Sequence, residues 1–105
     1  MPHLHGEFMF YHTTSQIEGA LLNLKIQVTL TNSATSTNQL TFYKSGECCI
    51  WTTFANTSNG DVLEINSFPS NQGLIWSFSE NSDYLSLKII EGSATKDGQS
   101  VPFEF

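Results

Sequence analysis

The chain reads as an all-β protein, an antiparallel β-sandwich or a small closed barrel of about eight strands. Three observations predict it. Apolar and polar residues alternate with a period of two in short blocks. Gly, Asn and Asp clusters with turn chemistry separate those blocks. No ten-residue stretch sustains a helical period, so the crossover helices that a parallel sheet requires are missing.

Leu4 to His12 is the first expected strand, with Leu4, Phe8 and Phe10 on its inner face. Ser15 and Glu18 stand at capping-box spacing, but Gly19 follows and the period then changes to two. One helical turn is therefore the most expected there. From Leu22 to Leu30 the separation is clean: Leu22, Leu24, Ile26, Val28 and Leu30 alternate with Asn23, Lys25, Gln27 and Thr29. Thr31 to Asn38 is a polar connector, after which Leu40 to Tyr43 resumes the period until Gly46. These two strands read as a hairpin with a long loop, and Leu24, Ile26, Val28, Leu40 and Phe42 as a central inward row. Further strands are expected at Cys48 to Phe54, Val62 to Ile65, Leu74 to Phe78, Tyr84 to Ile90 and Val101 to Phe105. Asn59-Gly60-Asp61 and Asp97-Gly98 supply turns. The segments Ile50 to Ile65 and Ile75 to Leu87 resemble each other as strand, Asn-containing turn and strand, which is either a duplication or the common grammar of hairpins.

Composition excludes several functions. The 105 residues carry four Lys, no Arg and ten acidic groups, a formal charge of -6. A basic patch that neutralises phosphate cannot be built, so neither nucleic acid nor an anionic membrane is an expected partner. Ser, Thr, Asn and Gln fill 37 positions, leaving a polar surface with few charges. The sequence shows no secretory signal or long apolar run, which predicts a cytoplasmic location or an intracellularly assembled particle. Cys48 and Cys49 are neighbours and point to opposite faces of a strand, so two free thiols are expected.

Three short motifs carry possible chemistry. His3, His5 and Glu7 share one strand face and are ligand types for Zn, Fe or Mn. The spacing resembles the His-x-His and Glu of the cupin metal strand. That resemblance implies a small jelly roll with a metal-dependent activity, although in cupins a further His far downstream completes the site. All three histidines here, His12 included, lie near the N-terminus, and a solvated strand face is the expected reading of His3, His5 and Glu7 rather than a tight metal site. Met1-Pro2-His3 resembles the start of tautomerases, whose N-terminal proline is a general base; the two long helices of that family have no counterpart here. Leu30-Thr31-Asn32, Leu40-Thr41-Phe42 and Ser45-Gly46 resemble the Ig-like sandwich of small intracellular proteinase inhibitors, which implies a proteinase as partner. Cys48 or Cys49 with His12 is the single Cys–His combination available, and nothing in the spacing joins them.

Aromatic residues supply the candidate contacts. Tyr11, Tyr43 and Tyr84 stand at outward parity, where a ring beside Asn, Gln or Asp suits a sugar or a protein surface. Trp76 shares parity with Leu74 and Phe78 and is expected in the core. Trp51 shares parity with Cys49 and Thr53, opposite Ile50 and Phe54, and is the expected exposed anchor. The sequence thus predicts a single β domain over residues 1–105, of jelly-roll or Ig-like type. It is expected to be non-catalytic, to need no cofactor and to work by self-association or protein binding. A carbohydrate or proteinase ligand is the alternative, and a cupin-like metal enzyme at His3, His5 and Glu7 the second.

Overall fold

A computed structural model describes residues 3–8, 17–31, 39–46, 49–55, 57–79 and 84–105. Its strands are β1 (His3–Phe8), β2 (Leu21–Thr31), β3 (Gln39–Lys44), β4 (Ile50–Phe54), β5 (Val62–Pro69), β6 (Leu74–Ser79), β7 (Tyr84–Lys96) and β8 (Gln99–Val101). They form two antiparallel four-stranded sheets, ordered β1-β6-β3-β4 and β5-β2-β7-β8. No ladder joins the two sheets among the described residues, so the closed-barrel alternative is ruled out: each sheet ends in two edges.

β2 shows why alternation makes a core. Leu22, Leu24, Ile26, Val28 and Leu30 are all buried, while the residues between them are exposed or half-exposed. Leu40 and Phe42 of β3, Ile65 and Phe68 of β5, and Leu74 and Phe78 of β6 meet them in one apolar cluster. Each such side chain contributes about 1.5–3 kcal/mol on full burial, so the cluster dominates stability. The expected inward row of Leu24, Ile26, Val28, Leu40 and Phe42 is buried as a unit. Residues 17–19 form a single tight turn closed by Ala20 N–H donating to Ile17 O at 2.8 Å. Ser70 fastens it, its N–H donating to Ala20 O at 2.9 Å and its hydroxyl to Ile17 O.

The connectivity differs from the sequence expectation. β2 and β3 are not a hairpin, because β2 has both edges occupied by β5 and β7 and β3 belongs to the other sheet. The segments β4–β5 and β6–β7 likewise cross between sheets instead of turning back on themselves. The true hairpins are β3–β4 and β7–β8. The latter turns at Asp97 and Gly98, both with positive φ (52° and 80°), the backbone a tight two-residue turn demands. Asn59-Gly60-Asp61 serves differently again. Gly60, at φ 90°, lets the loop extend the β2–β5 ladder: Gly60 N–H donates to Val28 O and Val28 N–H to Asp61 O, both at 2.8 Å. Asn59 Oδ1 accepts from Leu30 N–H at 2.8 Å and so finishes the edge.

Among the described residues, three β-bulges set the remaining side chains. In the β3–β4 ladder Phe42 pairs with Thr52 but Tyr43 with Ile50, so Trp51 is the extra residue. The slip turns Trp51 toward the core, edge-on to Phe68 at 5.2 Å and 76°, and leaves Ile50 60% exposed. The expected parity of β4 is thereby corrected: Trp51 is half-buried and Ile50 stands outward, because a bulge changes faces where simple alternation cannot. Trp76 packs on the core without being fully buried, its ring lying over Gly6 of β1, where an added Cβ would approach Cζ2 to 2.6 Å. The other two bulges flank β2 and bear on the candidate site.

Candidate functional site

The sequence candidates are dispersed. Tyr11 and His12 lie outside the described residues. The backbone of β1 sets His5 in register with Ser77 and Glu7 with Ile75, and β3 extends these rungs to Thr41 and Tyr43. The side chains of His3, His5, Glu7 and Tyr84 are outside the described residues. Tyr43 is half-buried, and Cys49 is exposed. Cys48 lies outside the described residues, and among those described no group of three His, Cys, Asp or Glu is placed to hold a metal ion.

A groove of about 350 Å³ lies on the outer face of β5-β2-β7, and sequence reasoning did not find it. Six polar side chains from three adjacent strands line it: Glu64 and Asn66, Asn23 and Lys25, Glu91 and Ser93. The registers explain the grouping. Lys25 pairs with Glu64 on one side and Glu91 on the other, and Asn23 pairs with Ser93. These are the outward positions left when Leu22, Leu24 and Ile26 turn to the core.

Both bulges beside β2 fall here. On β5 the register slips between the pairs Leu22–Phe68 and Leu24–Ile65, which leaves Asn66 and Ser67 opposite Asn23. Ser67 takes a positive φ of 57°, and its N–H donates to Asn23 Oδ1 at 3.1 Å. On β7 the pairs Lys25–Glu91 and Ile26–Ile89 leave Ile90 as the extra residue. Two slips on opposite sides of one short stretch of β2 sharpen the local twist, the way sheets re-aim side chains at binding sites.

The end of the chain completes the groove. After β8 the backbone stays against β7, and an added Cβ on Gly92 would come within 2.9 Å of Phe103 Cδ2 and 3.2 Å of Phe105 Cδ1. The two rings are tilted together with centroids 5.7 Å apart. Phe103 packs against the core, whereas Phe105 lines the groove and is 63% exposed. A glycine within a strand is the signal that sequence held for this approach, since only a missing side chain admits a ring so close to the backbone.

Lys25 Nζ lies 3.8 Å from Glu91 Oε1, with the two side chains 42% and 68% exposed. A pair that open to water contributes at most about 1 kcal/mol, so stability does not account for the arrangement. Chemically the groove offers carboxylate and amide acceptors, amide and ammonium donors, and one aromatic surface. It offers no nucleophile paired with a base. No family model, no curated protein and no solved structure matches the chain.

Proposed function

We propose that the two sheets form a β-sandwich that works as a non-catalytic assembly module, pairing with a second copy through the free edge of β4. The formal charge of -6 sets a general repulsion between copies, but none of that charge lies on β4, which has no charged residue. The single observation that carries the proposal is the contrast among the four edges. β5 holds Glu64, a bulge at Ser67 and Pro69; β8 is three residues long and is followed by Pro102; β1 includes Glu7. These are the devices that keep sheet edges from pairing. β4, Ile-Trp-Thr-Thr-Phe, carries neither charge nor proline, its bulge at Trp51 leaves Thr52 to Phe54 in regular register, and its Ile50 is the most exposed apolar residue among the described strand side chains. A two-fold axis at this edge would run one β4 antiparallel to the other and join the sheets into one of eight strands.

Light scattering on a concentration series of the full chain tests the reading. The expected mass is twice 11.7 kDa. Thr53→Lys and Ile50→Lys, both at exposed positions, should return it to the monomer with unchanged melting. A wild-type chain that stays monomeric to millimolar concentration, or variants that dimerise as well as wild type, would refute it.

A further inference from the structure

We infer that the groove on β5-β2-β7 is a binding site for a neutral oligosaccharide, at the scale of two linked pyranose rings. The argument is independent of β4 and begins with the shape. The six polar side chains form a grid, two rungs along the strands and three strands across. At about 3.3 Å per residue along a strand and about 4.8 Å between strands, the grid spans roughly 7 by 10 Å. The volume of about 350 Å³ is at the lower end of small-molecule sites, of order 300–1,000 Å³.

The chemistry then selects among ligand classes. A phosphate or sulfate is excluded, because the Lys25 ammonium already lies 3.8 Å from Glu91 Oε1 and, with Glu64 on the neighbouring strand, the groove carries a net negative charge. A divalent cation at Glu91 would meet the repulsion of the Lys25 ammonium 3.8 Å from its carboxylate. An extended peptide binds by adding a strand to a sheet edge, and β2 is paired on both sides, so this face offers no ladder. An apolar ligand would take water from Glu64, Asn66 and Ser93 and offer no hydrogen bond in return, at a desolvation penalty for each. A polyol meets every condition. Its hydroxyls donate to Glu64, Glu91 and the Asn66 carbonyl and accept from Lys25 and Asn66 amide hydrogens, while the C–H face of a ring packs on exposed Phe105. The backbones that carry the polar groups are fixed in the sheet, and Asn23 is held by Ser67 N–H, which limits the ordering required on binding.

Amide-resolved NMR titration of the full chain tests this. The probes are cellotriose, maltotriose, xylotriose, mannotriose and N-acetylchitotriose, with a sulfated heparin disaccharide as the anionic control. At least one neutral trisaccharide should give saturable shifts confined to Asn23, Lys25, Asn66, Gly92, Ser93 and Phe105. Asn66→Ala, Glu64→Gln and Phe105→Ala should each weaken that binding about tenfold while leaving the melting temperature in place. The inference falls if no neutral probe shifts these amides at ~20 mM, a concentration that detects even very weak sites. It falls equally if the sulfated probe alone binds, if shifts appear elsewhere, or if the three variants bind as wild type does.

Discussion

Gly92 ties the fold to the groove, and replacing it with Ala isolates that link. Its φ is not in the left-handed region, so the backbone accepts Ala, and the loss of unfolded-state freedom alone would stabilise by about 0.4–1 kcal/mol. Against this, the new methyl collides with the Phe103 ring and crowds Phe105. Phe103 is half-buried, so unseating it forfeits about half of the 1.5–3 kcal/mol that full burial contributes. Residual overlap adds about 1 kcal/mol or more where the ring cannot leave. The opposing terms leave a net loss of about 1–2 kcal/mol, or roughly 5–15 °C in Tm for a chain of this size. Thermal melts of Gly92→Ala, Phe103→Ala and the double variant provide the assay. Because the methyl harms only through the ring, the double variant should be less destabilised than the sum, by about 0.5 kcal/mol or more. Gly92→Ala melting at or above wild type, or strict additivity, would show that the chain end does not rest on Gly92.

Val28, fully buried in β2, and its exposed neighbour Gln27 give a parity test: Val28→Asp should leave no cooperative melt, while Gln27→Asp should stay within about 0.5 kcal/mol of wild type. Phe68→Ala should cost about 3–5 kcal/mol by chemical denaturation, because it empties a fully buried site. It should also move Trp emission to longer wavelength by opening the inner edge of Trp51, whereas an unmoved spectrum would contradict the Trp51–Phe68 contact.

What the sequence made legible was whatever depends on local period. The strand at Leu22 to Leu30 lies within β2, and its inward residues are the buried ones, because a strand with one wet face must alternate. The turn at Asp97-Gly98 is local too, set by two residues that tolerate positive φ. Sheet membership was not legible, since a connector of four to seven residues reaches a neighbouring strand or an opposite sheet with equal ease. Bulges were not legible either. One inserted residue reversed the parity of β4, so that Trp51 turned inward and Ile50 outward. The groove was hidden for the same reason: Asn23, Lys25, Glu64, Asn66, Glu91 and Ser93 are distant in sequence and unremarkable singly. Gly92 alone marked the spot, and without the register it read as a strand end.

The topology shows which of these features made the site. Adding four to each strand number, and wrapping past eight, turns the order β1-β6-β3-β4 into β5-β2-β7-β8. The two sheets are therefore topological counterparts, and the groove strands β5-β2-β7 correspond to β1-β6-β3. The outward rungs of the groove face can be compared with those of its counterpart. There the described rungs are His5–Ser77–Thr41 and Glu7–Ile75–Tyr43, in which Thr41 is buried and Ser77, Ile75 and Tyr43 are half-buried. The ladders β1–β6 and β6–β3 run without a register shift, whereas both ladders of β2 are shifted within a few residues of Asn23 and Lys25. The insertions at Ser67 and Ile90 thus set the face of β5-β2-β7 apart from the described part of β1-β6-β3. Deleting Ile90 should restore a continuous β2–β7 ladder with Glu91 still opposite Lys25 and Ser93 opposite Asn23, so trisaccharide binding lost in this variant would assign the groove to the local twist of the bulge, and binding retained would refute that.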